Sequence, residues 1–201
     1  MGGLALQAEG NRWLSRLFWN VPTAELLNAY GDVLEAWGDC DDLEPLVCRL
    51  GNELADILNA EDGLRRLSID YTGLFCSTRD GAPFPYESVY EDGERLLMRP
   101  VRDEVLAAYV DNGYQPMASD GNEPEDHLSL ELDFIAWLMD AEASAEDVGD
   151  DARAAALHAV REAFAAKHPA KWAPSFAKEV EEQAELPVYP AAAALVAALL
   201  S

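Results

Sequence analysis

Residues 123–140, EPEDHLSLELDFIAWLMD, begin with a proline among acids and then turn strongly apolar. Drawn as a helix at about 100° per residue, Leu128, Leu130, Leu132, Phe134, Ile135, Trp137, Leu138 and Met139 cover an arc of roughly 220°. An ordinary amphipathic stripe is narrower, so a helix over 124–141 is expected to bury a broad face. His127 and Glu131 fall in the middle of that arc, one turn apart, where a polar group should not be.

Helical periodicity dominates the rest of the chain, and no run of alternating β-branched residues competes with it. Helices are expected at roughly 9–19, 23–37, 42–59, 62–76, 96–111, 124–141, 146–167, 174–185 and 190–200. Pro22 and Pro124 suit first-turn positions, where the missing N–H costs nothing. Asn112-Gly113 suits a left-handed helix end, and Pro169, Pro174 and Pro187 divide the last third. Two segments resist the helical pattern: STRDGAPFPYESVYED, 77–92, and YQPMASDGNEP, 114–124. Loops with aromatics and prolines beside a rigid helical body are good places for recognition. AEASAEDVGDD, 141–151, reads as a solvated acidic connector, and YPAAAALVAALL as a terminal helix docked on the core. No internal repeat is evident. The expectation is an all-α, single-domain bundle over 1–201, with about nine to eleven helices.

Asp and Glu number 38 against 14 Lys and Arg, a net charge of −24. Such a field repels nucleic acid and anionic membrane and attracts a cationic partner. Solubility or a salt-adapted proteome explains the same charge, so it permits a basic ligand without showing one. Cys40, Cys48 and Cys76 form no C-x-x-C, which points to reduced thiols in the cytoplasm. Cys76, after Leu74-Phe75, is expected in or near the core. The first residues lack a basic segment followed by an apolar run, and no apolar segment has the roughly 20 residues that span a bilayer.

The common phosphate-cradling glycine motifs, H-E-x-x-H and G-x-S-x-G are absent. Glu123, Asp126, His127 and Glu131 form the serious metal candidate. Helical di-iron proteins use paired Glu-x-x-His motifs, whereas Pro124 stands three residues before His127 and no second copy exists. The structural reading is that His127 and Glu131 share a hydrogen bond or serve a neighbouring loop, since a buried carboxylate needs a partner or a proton. A small helical metal-binding protein or hydrolase remains the alternative function, and an acidic adaptor for a folded partner a third.

Four ordered motifs bear on this choice. Glu123-Pro124-Glu125-Asp126-His127, continuing to Glu131-Leu132 and Phe134, resembles the E-P-x-D-H-x-x-x-E-L-x-F signature of the TorD/DmsD chaperones, maturation factors for molybdenum-containing redox enzymes. Tyr71, Leu74 and Phe75 are similar to the family's Tyr-x-x-Leu-Phe element, and Pro85-Tyr86-Glu87-Ser88-Val89-Tyr90 to its proline-aromatic loop. Phe164, His168, Trp172, Pro174 and Phe176 match a C-terminal element. The resemblance covers about residues 13 to 200. Cys76-Ser77 replaces a small Val/Ile-Gly pair, and Tyr86 and Tyr90 stand where relatives often carry tryptophan.

The resemblance implies a cytoplasmic, all-helical chaperone with no catalysis, cofactor or metal. Its partner is the twin-arginine signal peptide of a molybdoenzyme catalytic subunit, such as a DMSO or TMAO reductase. Binding holds the precursor back from Tat export and assists molybdenum cofactor insertion. The peptide-binding residues carried over are Leu74, Phe75, Pro85, Tyr86, Ser88, Tyr90, Pro124, Asp126 and His127, with Glu131, His168 and Trp172 as structural support. No nucleic acid or stable membrane insertion is implied, and monomer and homodimer both stay open. Arginine recognition needs carboxylates and the following apolar stretch needs a groove. Asp126, with Glu123 or Glu125, is expected to face the cleft and take arginine, while Phe75, Tyr86 and Tyr90 line the groove. His127 and Glu131 are expected to be buried beneath it.

Overall fold

The computed structural model describes residues 3–38, 40–77, 81–91, 93–116 and 123–201. Among them are ten α-helices and no strand: α1 (Gly3–Trp19), α2 (Ala24–Asn28), α3 (Gly31–Trp37), α4 (Glu44–Asn59), α5 (Gly63–Phe75), α6 (Pro100–Asn112), α7 (Leu128–Asp147), α8 (Asp151–Lys167), α9 (Pro169–Gln183) and α10 (Val188–Leu199). A 3-10 turn, Glu87–Val89, lies between α5 and α6. The fold is all-α.

The broad apolar arc of 123–140 has a direct cause, because α7 is buried on more than one side. Its Leu128 and Leu132 join a cluster with Leu17 and Phe18 of α1, Phe176 of α9 and Tyr189 of α10. Leu130, Phe134, Ile135, Leu138 and Met139 join another cluster with Tyr109, Tyr114 and Phe164. The principal neighbours of α7 are α1 and α8. Each fully buried side chain of this kind is worth about 1.5–3 kcal/mol. A charge at Phe134, which is wholly buried, would break this helix's place in the fold. Small side chains do the corresponding work in α10, whose Ala191, Ala192 and Ala193 are all buried where it lies on α9 and α4.

Several boundaries differ from the sequence expectation, each for a local reason. The expected helix 23–37 is two helices, with Thr23 capping α2 by accepting from the Leu26 N–H at 3.2 Å. Pro22 therefore precedes the cap and is not in the first turn. Helix α1 starts earlier than expected, at Gly3. Helix α7 begins at Leu128, and Pro124 lies in the turn before it. Much of the expected acidic connector is helical, since α7 continues to Asp147 and Asp150 caps α8 through the Arg153 N–H. Helix α9 begins at Pro169 and keeps Pro174 inside it. Burial of Trp172, Ala173 and Phe176 outweighs the backbone hydrogen bond that Pro174 cannot make. Gly113 ends α6 as expected, with φ +71°. Residues 78–80 and 92 of the first irregular segment and 117–122 of the second lie outside the described residues.

Candidate functional site

The loop after α5 is fastened to the segment before α7 by its backbone. The Glu87 N–H donates to the Asp126 carbonyl at 2.9 Å, and the Leu128 N–H to the Pro85 carbonyl at 2.8 Å. Tyr86 and His127 thus form an isolated antiparallel bridge. The Asp126 Oδ2 accepts from the Ser88 N–H at 2.8 Å and from the Ser88 hydroxyl. Both side chains are wholly buried. This corrects the expectation that Asp126 faces a cleft: its carboxylate is wholly buried, with Oδ2 holding the loop and Oδ1 without a hydrogen-bond partner among the described residues.

Extended geometry at Tyr86 separates neighbouring side chains to opposite sides. Glu87 turns inward, its Oε2 lying 2.9 Å from His168 Nδ1. Nearby, the Trp172 indole N–H donates to Glu131 Oε2 at 3.2 Å. Burial, followed by the charges of Glu87 and Asp126, pushes the Glu131 carboxyl well above its usual range. This network joins the 3-10 turn, α7 and the start of α9. His127 does not bond to Glu131. It is the N-cap of α7, and its Nδ1 accepts from the Ser129 N–H at 3.0 Å. Burial pushes its pKa down to about 3, so the imidazole is neutral with its proton on Nε2.

Above this frame opens a pocket of about 420 Å³. Tyr71, Phe75 and Cys76 come from the end of α5, Pro85 and Tyr86 from the loop, and Glu123 and His127 from the approach to α7. Trp19, Asn20 and Val21, at the end of α1, complete it. The His127 ring meets Trp19 and Tyr86 edge-on, with centroids 5.0 and 4.9 Å away. Glu123 is exposed at the lip, where its Oε2 accepts from the Tyr86 hydroxyl at 2.6 Å. Glu125 is engaged by Arg102. Of the three carboxylates considered for arginine, Glu123 alone has neither a buried clamp to serve nor a cationic partner among the described residues.

The structure thus brings Phe75, Pro85, Tyr86 and His127 to one cavity, with Pro124 half-buried in the adjoining turn. Leu74, Ser88 and Asp126 are buried outside it. Tyr90 does not line this groove. It stacks on Trp172, with centroids 5.3 Å apart, and donates to Glu179 at 2.9 Å. Cys76 is exposed rather than near-core, because α5 ends there. Burial and the neighbouring Glu123 charge both raise its thiol pKa. Sequence reasoning missed the Trp19 wall, whose one local signal is an aromatic helix end followed by Asn20-Val21-Pro22.

The alternative metal set is not assembled. Glu123 engages Tyr86, Asp126 engages Ser88, His127 caps α7 and Glu131 accepts from Trp172. Among the described residues no three or more His, Cys, Asp or Glu are grouped to hold a metal ion, and no helix is long and apolar enough to cross a membrane.

Residues 40–178 match the model of the nitrate reductase delta subunit family. Chaperone protein TorD of Vibrio cholerae serotype O1 is 29% identical over 201 residues, covering 96% of this chain and 88% of that one. Chaperone protein TorD of Vibrio atlanticus is 33% identical, over 66% of this chain and 64% of its own. A solved structure of a candidate redox enzyme maturation protein from Archaeoglobus fulgidus shares the fold, with TM-score 0.58 and 20% identity over 100% of this chain and 94% of that chain.

Proposed function

The chain belongs to the nitrate reductase delta subunit family, among TorD-type chaperones, and from that premise we propose that its pocket receives the twin-arginine signal peptide of a molybdenum-containing reductase. The client is the catalytic subunit of that reductase. Binding delays Tat export in the cytoplasm while the molybdenum cofactor is inserted. The chaperone itself performs no catalysis. It acts as a single domain, because α7 contributes to both apolar clusters.

The observation that carries this reading is Glu123, a carboxylate without a cationic partner among the described residues, at the lip of an aromatic pocket. A guanidinium pairs with a carboxylate through two parallel N–H bonds and stacks on aromatic faces. Tyr86 orients the acceptor, while Trp19 and Phe75 supply apolar walls. His127 brings no competing charge, because burial keeps it neutral. The −24 charge accelerates encounter with a cationic leader, an effect that salt weakens.

Calorimetric titration with a leader peptide tests the reading, beside the same peptide with both arginines replaced by glutamine. Stoichiometric binding of the first and loss of the second are expected. A bound peptide also shields Cys76 from alkylation in a protein whose Cys40 and Cys48 are serine. Equal affinity for the two peptides, or alkylation of Cys76 unaffected by saturating leader, would discard the pocket.

A further inference from the structure

Glu123 borders two cavities. On its other side lies a second pocket of about 400 Å³, walled by Leu106 and Val110 of α6, by Tyr114 and Pro116 beyond that helix, and by Leu130 of α7. Its floor is built firmly. The Tyr109 hydroxyl donates to the Glu125 carbonyl at 3.1 Å, and Tyr109 and Tyr114 both pack on Phe134. Its outer wall is exposed among the described residues: Val110 is 67% exposed, one turn from the half-buried Leu106. An apolar pair at this spacing on the exposed side of α6 serves neither core cluster.

We propose that this second pocket takes the apolar stretch that follows the arginine pair of the signal peptide, with the chain crossing over Glu123 from one pocket to the other. The proposal rests on the function proposed above and adds where the rest of the leader lies. Two features select this occupant. The carboxylate shared by both pockets complements a cation, and the surface beyond it is apolar, which matches the order of charge and hydrophobicity along such a leader. Burial of Val110 and Leu106 against the peptide supplies affinity that arginine pairing alone does not.

The test uses two peptides, the full leader and a short form ending directly after the arginine pair, titrated into wild-type protein, Val110→Asp and Glu123→Gln. Val110→Asp should weaken the full leader about tenfold and leave the short form unchanged. Glu123→Gln should weaken both. Because Val110 is exposed, its variant should melt with the wild type; Val110→Ala, with a smaller loss for the full leader alone, gives a second measure. Wild-type affinities for both peptides in Val110→Asp overturn this inference and leave the arginine pocket standing. If wild-type protein binds neither peptide, the function proposed above fails with it. Self-association of wild type that Val110→Asp abolishes, at unchanged leader affinity, assigns the surface to a second copy and overturns the proposal.

Discussion

Glu123 and Asp126 lie three residues apart in one segment, yet their carboxylates occupy opposite regions of the site. Asp126 is wholly buried on the underside, accepting from the Ser88 backbone and hydroxyl. Glu123 is exposed on the lip, held by one tyrosine hydroxyl. On the underside Asp126 Oδ2 holds the loop and Oδ1 is shut away from solvent, while the lip keeps acceptor capacity that a ligand can reach. Their variants should accordingly separate stability from affinity.

The largest effect is expected at the underside. Asp126→Ala leaves the buried Ser88 N–H and hydroxyl without their acceptor, a loss of about 3 kcal/mol. For a chain of this size that lowers Tm by about 10 °C in a calorimetric scan. An unchanged Tm with abolished peptide binding would move Asp126 to the lip side of the comparison.

The underside also carries two titrations of opposite sign. The folded pKa of Glu131 is raised above the usual 4.5, so its stabilising contribution is full below that value and is lost as pH rises through the folded pKa. Glu131→Gln should flatten the decline in Tm on the alkaline side. His127 is depressed from 6.5 to about 3 and must stay neutral when folded, so stability is lost as pH falls through that window. The cost is about 2 kcal/mol at pH 5. His127→Asn keeps a capping acceptor for α7 and should flatten the acid side of the profile. Tm measured across pH checks both slopes, and parallel profiles for wild type and both variants would remove these two groups from the acid–base balance.

At the lip, Glu123→Gln should weaken the leader about tenfold with Tm unchanged within about 1 °C. A substantial loss of Tm would show that the exposed carboxylate supports the fold as Asp126 does.

The division between underside and lip was only half legible in the sequence. The width of the α7 arc announced a deeply buried helix, and the family motifs marked the segments that meet. Which of three nearby acids stays available was not legible. That depends on the Tyr86–His127 bridge, beside which Asp126 turns inward to Ser88, and on Arg102, which engages Glu125; Glu123 is left outside. His127 looked anomalous because its capping role depends on α7 beginning at Leu128 rather than at Pro124. Trp19 escaped notice because its place in the pocket depends on how α1 crosses α7, a tertiary fact with almost no local signature.

The smallest expected effect sharpens the lip itself. Tyr86→Phe keeps the ring against His127 and removes the hydroxyl that donates to Glu123. The carboxylate loses its orientation but keeps its charge, so leader affinity should fall only about threefold. The reactivity of Cys76 distinguishes this from charge removal. Its thiol pKa is raised first by burial and then by the Glu123 charge. In a background with Cys40 and Cys48 replaced by serine, Glu123→Gln should therefore speed alkylation of Cys76 at pH 8, whereas Tyr86→Phe should leave the rate near wild type. Equal acceleration in both variants would mean that the tyrosine hydroxyl, rather than the exposed carboxylate, governs the field at the mouth of the pocket.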